Sequence, residues 1–234
     1  MNIIYGTNAV RGSLEAKTLN KVLIDSAYKN KELLDALRMK KIPVEVVNKA
    51  KLDELIKVNH QGIIGYCKDY HTVGLDEIIA ISKKKTSPIV VILDELQDPH
   101  NLGAILRSGD AFDISGIIYK KRGSVSLNET VAKVSTGAIN FIKCAEVTNL
   151  SRTIQELKKN GFWVAGLDGD SNLTLKQAPK NVPLALVVGS EGFGISRLVK
   201  ENCDVILKIP MMGKVNCLNA SVACSIALYS LRNE

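Results

Sequence analysis

Short apolar segments alternate with amphipathic segments along most of the chain. Residues 89–93 form a continuous run of Ile, Val and Leu, which is typical of a strand buried on both faces of a sheet. Residues 31–39 instead carry apolar side chains at helical spacing. Strands that alternate with crossover helices favour a mostly parallel sheet. The pattern therefore predicts an α/β protein.

The predicted elements follow one another with short polar connections. The predicted helices cover residues 8–16, 31–39, 50–57, 75–81, 103–112, 128–135, 195–202 and 218–231, and a further helix begins after Asn149 or Ser151 and ends before Gly161. The predicted strands cover residues 22–25, 44–47, 62–67, 89–93, 116–119, 141–144, 162–167, 184–188 and 205–209.

A polar, lysine-rich stretch separates an earlier set of elements from a later one. Lys83–Lys85 are followed by Ser87 and Pro88, and a lysine run that ends in Ser-Pro is typical of a linker. We therefore predict a small module over residues 1–72, a linker over residues 73–87 with room for a short helix, and a larger domain over residues 88–234.

The net charge and the cysteine positions narrow the class of protein. The 234 residues carry a formal net charge of +7, which favours a polyanionic partner such as RNA or DNA. The five cysteines form no C-x-x-C pair, so we expect neither a metal site nor a disulfide framework. No signal peptide is visible, and residues 215–231 are too rich in Asn, Ser and Cys for a membrane span. We expect a cytoplasmic protein with no membrane partner.

Three segments of the larger domain are too polar or too rich in glycine for simple connections. The first, from Leu93 to Ser108, leaves the carboxyl end of a predicted strand and enters a helix, where α/β proteins place ligands. It contains Asn101 and, six residues later, Arg107, which we expect to approach one face of the opening turns. Taken alone, these residues also fit a capping loop with a surface arginine.

The second and third segments follow later strands. Residues 187–196 have the spacing G-x-x-G-x-G, which is neither the dinucleotide fingerprint nor a Walker loop. These glycines let the backbone approach a ligand closely, although they also suit a tight strand-to-helix turn. Residues 209–223 place Asn219 and Ser221 at the start of an apolar helix, where a capping side chain and free N–H groups facing a ligand are compatible.

Together the three segments resemble the motifs of one family. The combination N-L-G-A-I-x-R-S, G-S-E-G-x-G and I-P-M-x-G-x-V-x-x-L-N-x-S-V-A is similar to motifs 1, 2 and 3 of the SpoU (TrmH) RNA ribose methyltransferases of the SPOUT superfamily, in the same order. This likeness covers residues 89–234. The first module also resembles the substrate-binding domain of the RlmB branch, on Ile4-Tyr5-Gly6 and on His60-Gln61-Gly62-Ile63.

The resemblance implies a fold, a cofactor and a set of site residues. The fold is a SPOUT domain with a parallel sheet and a deep C-terminal trefoil knot, preceded by a small α/β RNA-binding domain like those of certain ribosomal proteins. The cofactor is S-adenosylmethionine as methyl donor, and a homodimer completes the site. The family assigns catalytic importance to Asn101, Arg107, Glu191 and Asn219, and it implies cofactor contacts at Gly189, Gly192, Ile209, Met211 and Leu218.

The implied reaction transfers a methyl group to a ribose 2′-hydroxyl of RNA, and a guanosine of 23S ribosomal RNA is the expected target. Because an arginine is a poor base, we expect Arg107 to bind the phosphate beside the ribose and to stabilise the developing alkoxide. The alternatives are a tRNA methyltransferase, an inactive RNA-binding protein of the same fold and a small-molecule α/β enzyme. Cys217 stands where the family usually has Ser, which weakens one hydrogen bond.

Overall fold

The structure, a computed structural model, describes residues 2–67, 70–214 and 217–233 of the chain. The chain divides into two compact units. Unit 1 comprises Met1–Tyr70 and Leu127–Phe141, and unit 2 comprises His71–Ser126 and Ile142–Glu234. Over the described residues each unit has a sheet of its own.

Unit 1 is built on a mixed sheet of four described strands. Its strands are β1 (Asn2–Tyr5), β2 (Leu19–Asp25), β3 (Val44–Val47) and β4 (Ile63–Cys67), and its first three helices are α1 (Thr7–Glu15), α2 (Lys31–Met39) and α3 (Lys49–Leu55). The strand order is β1-β4-β2-β3. Strand β4 pairs antiparallel with β1 and β2, whereas β2 and β3 are parallel.

Unit 1 also takes in a segment from the middle of the chain. This segment contains α6 (Glu129–Val134) and a 3₁₀ turn that leads to Phe141. The Asn140 side chain donates to Ser13 Oγ at 3.2 Å and accepts from Thr18 Oγ1 at 3.1 Å. A Cβ atom on Gly12 would lie 2.7 Å from Gly137 Cα, so the two backbones pack in direct contact there. These contacts join positions more than 120 residues apart, which local sequence patterns do not reveal.

Unit 2 contains a sheet in which every described pairing is parallel. Its strands are β5 (Ile89–Asp94), β6 (Gly116–Lys120), β7 (Cys144–Val147), β8 (Trp163–Leu167), β9 (Leu173–Thr174), β10 (Leu184–Gly189) and β11 (Val205–Lys208), in the order β7-β6-β5-β10-β8-β11-β9. Its helices are α4 (Leu75–Ser82), α5 (Pro99–Ala111), α7 (Leu150–Lys159), α8 (Arg197–Glu201) and α9 (Ala220–Asn233).

Strands β5 and β10 form the centre of the unit 2 core. All six residues of β5 are buried, as are the first five of β10. Val90 and Ile92 of β5 belong to the same apolar cluster as residues of α4, α7 and α8, so these helices cover the face to which alternate β5 side chains point. Helices α5 and α9 pack against each other, and the hydroxyl oxygens of Ser108 and Ser225 lie 2.7 Å apart.

The predicted α/β class and the parallel sheet of the larger domain are confirmed, whereas the mixed sheet of unit 1 was not specified by the sequence pattern. Helix α2 and strand β3 have the predicted bounds. Residues 75–82, within the stretch predicted as a linker, form α4, and Ile78 and Ile79 of this helix are buried in the unit 2 core. No helix in the described part of the chain is long and apolar enough to cross a membrane.

The main differences from the predicted secondary structure concern one strand, one helix start and two short edge strands. The strand expected at residues 141–144 is wrong, because β7 begins only at Cys144, and Phe141, which is 45% exposed, ends the 3₁₀ turn of unit 1. Helix α5 begins at Pro99, four residues before the predicted start, because Asp98 caps it and accepts from His100 N at 2.8 Å. Strands β1 and β9 were not predicted. Both are short, and each lies at an edge of its own sheet.

Candidate active site

The carboxyl ends of four parallel strands meet at one edge of the unit 2 sheet. Gly189 at the end of β10 pairs with Asp94 at the end of β5, and Val188 pairs with Leu167 at the end of β8. Leu207, next to last in β11, also pairs with Leu167. All three motif segments follow these strand ends, so the parallel pairing brings them to the same edge.

The loop after β10 is a closed turn that only glycine can begin. Ser190 and Gly194 exchange backbone hydrogen bonds of 3.1 and 2.9 Å, and Gly194 has a φ of 65°. A Cβ atom on Gly189 would lie 2.0 Å from the Gly194 carbonyl carbon, far inside van der Waals contact. The buried carboxylate of Asp94 accepts from Ser196 N at 2.7 Å and so ties the far end of this loop to β5. The loop therefore has a defined shape that fixes where Glu191 lies.

Three polar side chains from the three segments form one hydrogen-bonded cluster. Asn219 Nδ2 donates to Asn101 Oδ1 at 2.9 Å and to Glu191 Oε1 at 2.7 Å. Asn101, which is 4% exposed in the first turn of α5, donates from Nδ2 to the same Glu191 oxygen. Asn219 Oδ1 in turn accepts from the backbone N–H groups of Ser221 and Val222, so the residue also caps α9. We call these three residues the Asn–Glu–Asn cluster.

A cavity of about 330 Å³ opens beside the Asn–Glu–Asn cluster; we call it the main cavity. Four predicted cofactor contacts line it together with Glu191, namely Gly189, Ile209, Met211 and Leu218. Asp168 and Asp170, which follow β8, add two more carboxylates. The Lys200 ammonium lies 2.6 Å from Asp168 Oδ2 and holds the pKa of that carboxyl below its ordinary value, so Asp168 stays charged.

A second cavity of about 300 Å³, the side cavity, lies across the loop after β10. It shares Ser190, Glu191 and Phe193 with the main cavity. Gly192, the remaining predicted cofactor contact, lines the side cavity and not the main one. Asn101 also faces the side cavity, so the Asn–Glu–Asn cluster lies between the two spaces.

Arg107 is not part of the Asn–Glu–Asn cluster. It is exposed on α5, whereas Asn101 is buried, and we find no hydrogen bond or ion pair to Arg107 within the described ranges. The expectation that the two side chains approach one face is wrong, because six positions on a helix turn through about 240°. Arg107 is thus presented to solvent on a helix that packs against α9.

Sequence reasoning missed Asp94, Asp168 and Asp170. Each follows or ends a buried strand on the carboxyl side, and that position is the signal that could have found them. Val215 and Asn216 of the third segment lie outside the described residues, while Cys217 is exposed and lines the main cavity.

The basic runs have carboxylate partners, and the buried cysteines are unreactive thiols. Lys85 pairs with Asp113 at 2.5 Å and Lys120 with Glu95 at 2.9 Å, so both lysine runs are partly neutralised. All five cysteines are free thiols. Burial raises the pKa of Cys144 and Cys224 to about 12, which keeps these two thiols protonated and unreactive.

Two family profiles match two separate parts of the chain. Residues 88–229 match the profile of the SpoU rRNA methylase family, and residues 3–73 match that of the RNA 2′-O ribose methyltransferase substrate-binding domain. A TrmH family tRNA/rRNA methyltransferase from Staphylococcus haemolyticus is 45% identical over 98% of this chain and 94% of its own length. The chain therefore belongs to the SpoU (TrmH) family of S-adenosylmethionine-dependent RNA 2′-O-ribose methyltransferases.

Solved structures share the fold. The SpoU methyltransferase AviRb from Streptomyces viridochromogenes superposes with a TM-score of 0.83 at 20% identity, over 98% of this chain and 88% of that one. An rRNA methyltransferase from Sinorhizobium meliloti, solved with bound AdoMet, gives 0.80 at 21% identity over 99% and 86%. The A. aeolicus TrmH/SpoU tRNA-modifying enzyme gives 0.57 at 27% identity and covers 68% of this chain and 80% of that one.

The closed turn after β10 yields a test by glycine substitution. Gly189→Ala should lower the free energy of unfolding by about 1–3 kcal/mol, because the new methyl group meets the Gly194 backbone and the core cannot yield without strain. Gly192→Ala is the matched control in the same loop, since nothing lies within 4 Å of its added Cβ. We expect its effect to stay below about 0.5 kcal/mol. Equal urea-unfolding curves for the two variants would contradict the described loop.

Proposed function

We propose that the main cavity binds S-adenosylmethionine and that the Asn–Glu–Asn cluster directs methyl transfer to a ribose 2′-hydroxyl of RNA bound by both units. The observation that carries this proposal is the convergence of polar side chains from three separate segments at the rim of one cavity. The proposal assigns RNA reading to the module over residues 1–72 and chemistry to residues 88–234.

The lining of the main cavity fits S-adenosylmethionine. Its volume of about 330 Å³ is in the range of small-molecule sites. The carboxylates of Asp168, Asp170 and Glu191 suit a ligand with a sulfonium and an ammonium group, and the apolar side chains of Ile209 and Leu218 suit its adenine ring. S-adenosylmethionine supplies a methyl group already activated on sulfur. The protein's own tasks are then to align the hydroxyl and to manage its proton.

Glu191 is the side chain that we assign to the hydroxyl. Its Oε1 accepts from both Asn101 and Asn219, while Oε2 has no partner in the part of the chain that the structure describes. Two amide donors therefore fix the carboxylate and leave one oxygen to accept a hydrogen bond from the 2′-hydroxyl. A carboxylate held in this way orients the hydroxyl oxygen before transfer, which is the alignment that the reaction needs.

We propose that the protein is a homodimer and that Arg107 acts at the site of the second copy. Helix α9 exposes an apolar stripe at helical spacing, with Val222 45%, Ile226 39% and Tyr229 61% exposed. An exposed apolar stripe on a helix is typical of an interface, and a second copy of the chain is its proposed partner. Because Arg107 lies on the neighbouring helix α5, it can reach a site on that second copy. There it would bind the phosphate beside the target ribose and stabilise negative charge on the oxygen.

A deep trefoil knot is also part of the proposal. Strand β11 pairs outside β8, yet the chain that follows β11 returns to the edge where β10 ends. Ile209 and Leu218, on the two sides of that return, line the main cavity with Gly189. This return supports the proposal of a knot, in which the chain threads back beside an earlier loop.

RNA binding by unit 1 is proposed to use an open cleft of about 930 Å³. Lys29, Lys49 and Lys57 line it, and none of the three has an ion-pair partner among the residues described. At its floor, the buried His60 accepts from Gly62 N through Nδ1 and so donates from Nε2 to Asp53 at 2.9 Å. A hydrogen-bonded floor with unpaired lysines around it suits the phosphates of a single-stranded RNA segment.

The proposed target is a guanosine of 23S ribosomal RNA, and a tRNA target is the second candidate. The likeness to the S. meliloti rRNA methyltransferase spans nearly the whole chain, whereas the likeness to the A. aeolicus tRNA-modifying enzyme covers 68% of it. That difference favours ribosomal RNA. The relative from S. haemolyticus, whose name includes both RNAs, keeps tRNA as a candidate. The proposed place of action is the cytoplasm, where both RNAs are found.

The proposed function is tested with RNA from cells that lack this gene. The full chain should transfer tritiated methyl from S-adenosylmethionine to that RNA. Because a 2′-O-methyl group removes the nucleophile of alkaline cleavage, the label should stay in alkali-resistant dinucleotides of the 23S fraction. Label in the tRNA fraction would favour the second candidate, and label in mononucleotides would contradict ribose methylation. RNA binding without any label would mean an inactive RNA-binding protein.

Arg107→Ala should lower the methylation rate about 100- to 1,000-fold, because it removes one charge-stabilising donor, while the affinity for S-adenosylmethionine stays unchanged. If Arg107 acts on the partner's site, co-expression with Glu191→Ala should restore about a quarter of the wild-type activity. Random assembly makes half of the dimers mixed, and each mixed dimer has one complete site. No recovery in the co-expressed pair would contradict the shared site, and a rate for Arg107→Ala within threefold of wild type would remove Arg107 from the mechanism.

The unit 1 cleft is tested by the salt dependence of RNA binding. Lys49→Gln and Lys57→Gln should each make the slope of log affinity against log salt shallower by about 0.7, because each removes one contact to a single-stranded phosphate. Lys51→Gln is the matched control, since Lys51 lies between them in sequence but pairs with Glu45 at 3.3 Å. Filter binding of the same RNA over a salt series gives the slopes. Three equal slopes would exclude the cleft as the RNA site.

A further inference from the structure

The side cavity adjoins the Asn–Glu–Asn cluster but has no part in holding the cofactor under the proposed function. Asn101 and Glu191 line it, so any group bound there lies beside the residues assigned to the hydroxyl. The loop after β10 separates it from the main cavity. A nucleotide whose base entered the side cavity would therefore hold its ribose near Glu191, between the two spaces.

Phe193 lines the side cavity, and the main cavity as well, with almost no contacts of its own. Its side chain is 94% exposed, compared with 61% for Tyr229 and 46% for Trp163. The closed turn from Ser190 to Gly194 holds its backbone in place, so the ring is presented by a defined loop. An aromatic ring that is exposed on such a loop, two residues from Glu191, offers a flat apolar face at the reaction site.

A polar group suited to the edge of a base also lines the side cavity. Gln97 lines the side cavity, is exposed, and has no side-chain hydrogen bond among the residues that the structure describes. Its neighbours are already engaged, since Glu95 pairs with Lys120 and Asp98 accepts from His100. The Gln97 amide can therefore both donate to and accept from a ligand. An aromatic face and a free amide are the combination by which proteins recognise an unstacked RNA base.

We propose that the side cavity receives the base of the nucleotide that is methylated, with the base stacked on Phe193 and its edge bound by Gln97. This inference rests on the proposed function, because it names the position of the substrate at that same site. It assigns to Phe193 the positioning of the target ribose, and to Gln97 a share of the choice among the four bases. The proposal assigns neither residue a contact with the transferred methyl group.

Substitutions at Phe193 separate stacking from simple apolar packing. Phe193→Ala should lower kcat/KM for RNA about 5- to 150-fold, the range expected when one base loses its aromatic platform. Phe193→Leu should be as defective as Phe193→Ala, whereas Phe193→Trp should restore activity to within about threefold of wild type. Leu198→Ala is the control. Leu198 is another exposed apolar residue of unit 2, with an exposed fraction of 59%, and it lines neither cavity.

The assays use the full chain with S-adenosylmethionine at saturation and the 23S or tRNA fraction from cells that lack this gene. Equilibrium RNA binding and sedimentation accompany the methylation rates. Full rescue by Phe193→Leu, or equal effects of Phe193→Ala and Leu198→Ala, would overturn stacking. Loss of the dimer in Phe193→Ala would show that the ring packs against a second copy, and would overturn the proposal as well.

Gln97→Ala gives an independent test of how the protein chooses among the four bases. In short RNAs that carry each of the four bases at the mapped target, the wild-type chain should prefer one base, and Gln97→Ala should reduce that preference about 5- to 150-fold. An unchanged preference would overturn the role of Gln97. If the wild-type chain transfers no methyl group to any RNA, the proposed function fails. The stacking inference is then judged by RNA affinity alone, which Phe193→Ala should weaken and Phe193→Trp should restore.

Discussion

The parallel pairing of β5 with β10 is the constraint on which the site depends. This pairing sets Gly189 opposite Asp94 and brings the loops after both strands to one edge of the sheet. The strands themselves are buried on both faces, and a shift in their register would expose apolar side chains to water. The free energy of the core therefore fixes the position of polar residues that contribute nothing to that core.

The loop after β10 depends on this register and places a side chain of the candidate site. The close approach of Gly189 and Gly194, together with the Asp94 carboxylate on Ser196, leaves the loop one shape. That shape delivers Glu191 to two amide donors from α5 and α9. Two amide donors restrain the Glu191 carboxylate through Oε1, because Asn101 is itself buried in α5 and Asn219 caps α9. A restraint of this kind suits a reaction in which alignment supplies most of the rate.

The two faces of the loop after β10 present different chemistry to the two cavities. The main cavity carries carboxylates and apolar side chains, and the side cavity carries an exposed ring and a free amide. Glu191 lines both. Under the proposed function, the cationic methyl donor and the RNA nucleotide would have complementary surroundings on the two sides of the Glu191 carboxylate.

The sequence by itself determined the α/β class, the position of most helices and strands, and the motifs that define the family. These features are local: apolar runs make buried strands, and a capping residue such as Asn149 before an amphipathic run begins a helix. Asp98 and Pro99 are also a recognisable signal for a helix start, although the predicted helix began later. Only the tertiary structure decided that residues 127–141 pack in unit 1, that Arg107 faces away from Asn101, and that Asp94 and Asp168 belong to the site. Each of these depends on contacts between residues far apart in the chain, and the packing that selects such contacts leaves no periodic trace in the residues that make them.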